Sequence, residues 1–317
     1  MDSCQFPGTS DMYGVGIRVG FYMQWYGKIL ASWIAKSEAR SLRLSGSFFV
    51  AATFLALCLQ SAKKSLRPVE IYIILLLTFG GYLYLVPLWI WRLATGCTPR
   101  WDPARYRRVK SSRIHSKLNF GLLASVSLFQ LWFWVAIAGS GTKFECAQYG
   151  FFFGRVSLQN TVFVIINVLI QAAALVICLG VLSLPLTRKV GLCMERQGRK
   201  SRFVICTRYN ASIQAILKPP LNPLSHFRKV ALQQMHSLIQ LIVTSIVVVA
   251  TELVIKWNGI RNVNDVSTAG QTIPMVIGIG LFIRVIYVYF AKREDTEGSD
   301  DTISTGSISS ITSGSAG

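Results

Sequence analysis

Seven long apolar segments separated by basic loops dominate this sequence of 317 residues, and they constrain its fold more than any other feature. A helix of roughly 20 apolar residues is long enough to cross a bilayer. Only helices and closed barrels pair all their backbone groups inside hydrocarbon. The predicted spans are residues 12–35, 44–62, 69–91, 119–139, 160–187, 236–257 and 269–291. The sequence therefore predicts an all-α, polytopic membrane helix bundle with about seven spans.

The composition excludes the common soluble classes. Charged residues make up only 15% of the chain and hydrophobic residues 52%, whereas an ordinary soluble domain is about 25% charged. The formal net charge is +19, but the basic residues alternate with apolar runs, so we expect no nucleic-acid partner. The first span is the weakest because it carries Arg18 and Lys28. An interfacial amphipathic helix is the alternative for this segment.

The distribution of Lys and Arg predicts the orientation. Of the 33 basic residues, 23 lie in or beside the first, third and fifth loops and the C-terminal segment, and 7 lie in the other loops. Short basic loops stay in the cytoplasm, so the N-terminus is predicted outside and the C-terminus inside. The basic inner loops, residues 92–118 and 188–235, are expected to contact anionic lipids of the inner leaflet. The charge pattern does not distinguish the plasma membrane from an internal membrane.

The two ends of the chain differ from the apolar middle. Residues 1–11 contain no Lys or Arg and are predicted to form a short outer tail rather than a cleavable signal peptide. Residues 292–317 are acidic, rich in Ser and Thr and nearly free of large apolar side chains. Such a composition predicts a disordered cytoplasmic tail.

The seven cysteines do not point to a metal site. They lack a C-x-x-C spacing, so we expect no metal ion and no cofactor. Cys4 and Cys146 both fall on the predicted outer side. The sequence allows one disulfide between them or two free thiols.

Three charged residues inside or beside the spans are candidate functional groups, because charges in hydrocarbon are costly. Arg18, Glu70 and Glu252 lie at comparable depth near the outer ends of their spans, so Arg18 can pair with either acid. Such a pair either fixes helix packing or belongs to a ligand or proton site. Toward the inner face, Lys28 and Arg284 are expected to extend their charged ends to lipid headgroups.

Uncharged polar residues recur at a spacing of four, which puts their side chains on one face of a helix. The pairs are Gln130 with Trp134, Asn167 with Gln171, and Gln240 with Thr244. They are expected to hydrogen-bond between helices or to line a small polar cavity.

Small residues and one proline predict special helix packing. Gly16 and Gly20 form a G-x-x-x-G pair, which favours close contact with another helix. Pro274, Gly278 and Gly280 are expected to permit a kink in the last span. That span contains no Lys and no N-P-x-x-Y sequence, and the chain lacks a P-loop, H-E-x-x-H and G-x-S-x-G. The common receptor and hydrolase signatures therefore do not apply.

Two stretches resemble an uncharacterised family of multi-spanning membrane proteins from filamentous fungi. They read YGVGIRVGFYMQW at residues 13–25 and WRLATGCTPRWDPARY at residues 91–106. The resemblance covers about the first 140 residues well and implies a polytopic fungal membrane protein, without an activity. It draws attention to Arg18 and Gln24, which lie inside the first stretch.

Two functional hypotheses follow. The seven-span layout favours a receptor-like or transporter-like protein that binds a small ligand or ion within the bundle, by analogy of fold alone. The alternative is a membrane-embedded enzyme that acts on a lipid-like substrate, as integral terpene cyclases do. In that case Glu70 and Glu252 would donate protons, since burial favours the protonated carboxyl group.

The single N-x-S/T sequon, Asn210–Ser212, tests the orientation because it lies in the fifth loop, on the predicted cytoplasmic side. We expect it to remain unglycosylated, since only outer or lumenal sequons are modified. An endoglycosidase mobility shift on the protein expressed in eukaryotic cells checks this. An appended N-terminal extension that carries a sequon is the positive control. Glycosylation at Asn210 would contradict the predicted orientation.

Overall fold

The computed structural model describes residues 5–96, 98, 101–103, 113–139, 147–191, 223–266 and 268–306. Nearly all of this backbone is helical. The helices are α1 (Ser10–Tyr13), α2 (Val15–Ile34), α3 (Ala39–Ala62), α4 (Pro68–Gly80), α5 (Leu85–Ala94), α6 (Arg113–Gly139), α7 (Thr161–Gly191), α8 (Pro223–Trp257) and α9 (Ala269–Gly306). Four short strands complete the fold: β1 (Phe6–Pro7), β2 (Tyr149–Phe151), β3 (Arg155–Ser157) and β4 (Ile260–Arg261).

Several helices are suited to a membrane. Among the described residues, five helices are long and apolar enough to cross one, namely α3, α6, α7, α8 and α9. A sixth span results if α4 and α5, which are bent by 57° at a short break, count as one. The prediction of a membrane helix bundle is therefore confirmed, while the number seven and the orientation stay predictions. The third predicted span is a broken helix, which the sequence analysis did not foresee.

Helix α2 is the polar centre of the bundle. It has 20 residues and is more polar than the five helices that are apolar enough to cross a membrane. It packs against α3, α8 and α9, and each of its residues before Trp33 is at least partly buried. By contrast, only 11% of the most apolar stretch of α9 is buried. The polar helix lies inside and the apolar helix outside, as a lipid environment requires.

Helices α2 and α9 run in parallel at very short distance. A Cβ atom built on Gly16 would lie 2.4 Å from the carbonyl oxygen of Gln271, and one on Gly20 would lie 2.6 Å from that of Pro274. Farther along, Gly27 faces Phe282 at 3.7 Å, so the contacts advance in the same direction on both helices. The prediction of close packing at Gly16 and Gly20 is confirmed.

The two ends of the bundle are built differently. One end, here called the hairpin end, carries the parallel pair β1–β4, the antiparallel hairpin β2–β3, and the connections 63–67 and 258–268. The other, here called the basic end, carries the turn 35–38 and the ends of the helices that flank segments 95–112 and 192–222.

Several predictions fall at the limits of the described chain. Cys4, Cys146 and the sequon at Asn210 lie outside the described residues. Helix α9 continues to Gly306 and so includes the start of the predicted tail, whereas residues 307–317 lie outside the described residues. The disordered tail stays a prediction, and the two alternatives for Cys4 and Cys146 stay open.

We expect Gly20→Ala to destabilise the protein, because its Cβ would lie 2.6 Å from backbone of α9, which must shift. Overpacking of this kind costs about 1–3 kcal/mol. Thermal unfolding in detergent micelles measures the change. Gly280→Ala, on α9, is the matched control, since a Cβ there meets no described atom within 4 Å. Equal stability of the two variants would contradict the close contact.

Candidate functional site

Glu70 anchors the N-terminal segment to the hairpin end. Its Oε1 accepts hydrogen bonds from the Thr9 backbone N–H at 3.0 Å, the Thr9 hydroxyl at 3.0 Å and the Tyr13 hydroxyl at 2.9 Å. Its Oε2 accepts one from the Arg67 backbone N–H at 2.9 Å, as part of the capping box that begins α4. Both oxygens are therefore engaged in holding backbone and side chains in place.

Arg18 pairs with Glu252 rather than with Glu70. The Arg18 residue is 1% exposed, and Nη1 forms an ion pair with Glu252 Oε2. Nη2 donates to the Val263 carbonyl oxygen at 3.1 Å and to Asn264 Oδ1 at 2.8 Å. Arg18 thereby joins α2 to α8 and to the connection that precedes α9.

The carboxylate of Glu252 is the more exposed partner of this ion pair. Its side chain is 47% exposed, and its second oxygen accepts a hydrogen bond from the Tyr22 hydroxyl at 2.9 Å. Neither Glu252 nor Glu70 lines either of the two cavities described below. The three charged groups near the hairpin end make contacts that join helices and connections.

A cavity of about 190 Å³ lies near the basic end and is here called the basic-end cavity. Residues from α2, α3, α6, α8 and the break between α4 and α5 line it, and many are polar. The polar lining includes Lys28, Arg43, Asn119, His236 and Gln240. The break contributes lining residues because α4 ends at Gly80 and the chain turns before α5 begins at Leu85. The turn separates the two helical segments and leaves room beside them.

Hydrogen bonds orient part of this lining. Asn119 Oδ1 accepts a hydrogen bond from the Tyr82 hydroxyl at 2.8 Å, and the Ser47 hydroxyl lies 3.2 Å from the same oxygen. Both contacts involve the amide oxygen of Asn119. The ring of buried His236 lies 5.9 Å from that of Tyr84. The lining is thus partly fixed in position and rich in donors.

A second cavity, of about 50 Å³, lies on the other side of the α4–α5 break and is here called the core cavity. Gln130, Trp134, Asn167 and Gln171 all line it, so the polar stripes of α6 and α7 share this cavity. Asn167 donates back to the Phe163 carbonyl oxygen of its own helix at 2.8 Å. The third stripe lines the basic-end cavity instead, so the stripes do not form one polar path.

Two predictions for basic residues need revision. The expectation that Lys28 extends to lipid headgroups is wrong, because Lys28 lines the basic-end cavity. Arg284 forms an ion pair with Glu38 at 2.9 Å, which the sequence analysis did not foresee.

Sequence reasoning also missed Arg43, Asn119 and His236, which were assigned to loops or to the start of a span. The available signal was the spacing of four between Arg43 and Ser47. Both residues lie near the N-terminal end of α3, which follows the first basic loop. Gln24, singled out by the resemblance, is 2% exposed, and its Nε2 has no partner among the described residues.

No family model, no curated protein and no solved structure matches the chain.

The Arg18–Glu252 pair predicts unequal effects of removing its two partners. Glu252→Ala leaves a buried guanidinium without its counter-ion, whereas Arg18→Met removes the buried charge and leaves a half-exposed carboxylate. We expect Glu252→Ala to cost about 2 kcal/mol, below the full penalty of a buried pair, and Arg18→Met to cost less.

Thermal unfolding of both variants and of the double variant measures this order. The double variant should recover much of the stability lost in Glu252→Ala, because the unpaired charge is gone. If Glu252→Ala unfolds at the wild-type temperature, the pair does not hold α2 against α8.

Proposed function

We propose that this protein is a seven-span membrane protein that binds a small polar ligand in the basic-end cavity, with a transporter-like role. The observation that carries the proposal is the cavity itself, about 190 Å³ of space lined by Lys28, Arg43 and amide side chains. It lies inside a bundle whose outer surface is apolar. Ligand sites are commonly concave, with a few polar groups that fix orientation.

The arrangement of α2 supports the count of seven. Its 20 residues rise by about 1.5 Å each, which gives about 30 Å, the thickness of the hydrocarbon core. It also runs beside α9, itself apolar enough to span, in the same direction. Counting α2 and the bent pair α4–α5 with the five apolar helices gives seven spans. With the basic loops inside, the N-terminus is then outside and the C-terminus in the cytoplasm.

The break between α4 and α5 favours a transporter-like role over a receptor-like one. Phe79 and Leu83 line the core cavity, while Gly81 and Tyr82 line the basic-end cavity, so the break lies between the two. Discontinuous helices next to a binding site are typical of secondary transporters. This is an analogy of architecture. In this view the basic-end cavity lies on the cytoplasmic side of the break.

The enzyme hypothesis finds less support. Convergence of Glu70 and Glu252 on one apolar cavity without Arg18 would have favoured it. Glu70 instead accepts hydrogen bonds at both oxygens, and Glu252 is paired with Arg18. No observation favours either carboxylate as a proton donor to a substrate.

Accessibility of Gln240 tests the proposal. In a chain whose native cysteines are replaced, Gln240→Cys should react with a membrane-impermeant thiol reagent applied from the cytoplasmic side. Ile242→Cys is the matched control, because Ile242 is an exposed apolar residue two positions further along α8 and should face lipid, where no thiolate forms. If Gln240→Cys stays unmodified, or reacts no faster than Ile242→Cys, the cavity is not a water-accessible site.

A further inference from the structure

We propose that the core cavity binds an alkali metal cation, Na⁺ or K⁺. This site is separate from the basic-end cavity, so the inference goes beyond the ligand proposed there and does not rest on it. The walls of the core cavity come from the C-terminal part of α4, the break that follows it, α6 and α7. Alkali cations take oxygen ligands, such as carbonyl groups. They do not use the cysteine ligands that the sequence analysis considered.

A buried oxygen without a partner is the first argument. Gln171 lines the core cavity and is 3% exposed, and its Oε1 has no hydrogen-bond partner among the described residues. A buried acceptor of this kind costs free energy until a donor or a cation reaches it. The cavity is the space from which a ligand can do so.

Two further amides at the same cavity are the second argument. Asn167 precedes Gln171 by four residues and therefore lies on the same face of α7. Its Nδ2 donates to the Phe163 carbonyl oxygen at 2.8 Å, which leaves its amide oxygen for a further partner. Gln130, which is 5% exposed, contributes a third amide from α6. Side-chain oxygens from two helices are thus available around one small space.

The end of α4 is the third argument. Gly80 lines the cavity and has no side chain, so only its backbone can face the space. Carbonyl groups at a helix C-terminus carry a partial negative charge, which favours a cation. The carbonyl oxygens of Phe79 and Gly80 accept from Tyr82 at 2.8 Å and from Leu83 at 3.1 Å, and each oxygen keeps a second lone pair. Broken helices in transporters coordinate Na⁺ with such carbonyl groups.

The charge and size of the cavity favour a single monovalent ion. None of the described residues that line it is charged, so no basic side chain repels a cation and no carboxylate neutralises one. The cost of removing an ion from water rises steeply with its charge, and neutral oxygens offset this cost best for a monovalent ion. The volume of about 50 Å³ exceeds the 10–15 Å³ that one water molecule needs. A small cation with a bound water fits this space.

Thermal unfolding of the full chain in detergent tests the proposal. It is measured in chloride salts of Na⁺, K⁺ or N-methylglucamine, which is too large for the cavity, at equal ionic strength and pH. A cation that binds the folded protein raises the melting temperature as its concentration rises. We expect Na⁺ or K⁺ to do so relative to N-methylglucamine. The alkali ion with the larger effect is the one that the site prefers, and either result supports the proposal.

Variants locate the bound ion. Gln171→Met keeps the length of the side chain and removes the amide oxygen. We expect it to weaken the apparent affinity for the cation by about tenfold or more, because loss of even an indirect partner of a bound metal commonly costs that much. Asn167→Leu changes a half-buried position and repeats the test if Gln171→Met does not fold.

Ser127→Ala is the matched control. Ser127 is buried on α6, and its Oγ also lacks a partner among the described residues, but it lines neither cavity. The effect of the cation should therefore be unchanged in this variant. If the effect falls equally in Ser127→Ala and Gln171→Met, it reflects the stability of the bundle and the assignment is wrong.

Two other results overturn the inference. Equal melting temperatures in all three salts would show that the core cavity holds water only. A cation effect that persists at full strength in both Gln171→Met and Asn167→Leu would show that the ion binds elsewhere. Neither result bears on the basic-end cavity, whose accessibility is measured at Gln240.

Discussion

The polarity of α2 is the constraint on which the rest of the structure depends. Arg18, Gln24 and Lys28 all lie on this helix, and none of them is tolerated facing hydrocarbon. Helices α3, α8 and α9 therefore surround α2. The absence of side chains at Gly16 and Gly20 lets α9 approach to backbone contact. The apolar outer faces of the surrounding helices are suited to contact lipid. This explains why so little of α9 is buried.

One polar helix serves two different purposes at its two ends. At the hairpin end, the two terminal nitrogens of the buried Arg18 guanidinium bind Glu252, Val263 and Asn264, and this joins the helices there. Glu70 adds a second tie there through Thr9 and Tyr13. At the basic end, Lys28 faces open space instead. A charge within a bundle needs a partner, and at the hairpin end the protein itself supplies it.

The sequence predicted the positions of the helices better than the contacts between them. The apolar runs located the helices, and Gly16 and Gly20 marked a close contact. The break at Gly80 was missed because hydropathy stays high across it and says nothing about direction. The choice of Arg18 between two acids, and the meeting of Lys28 with Arg43, depend on how separate helices pack, which no local pattern encodes.

The central claim is that α2 is enclosed by protein while α9 faces lipid. Spin labels placed singly along α2 and α9 in liposomes report this directly through their collision rates with oxygen, which concentrates in lipid. The account predicts low rates at every position of α2 before Trp33, and high rates on α9 at the exposed positions Ile273, Val276 and Ile283. A periodic stripe of high oxygen collision rates along α2, equal to that on α9, would contradict it.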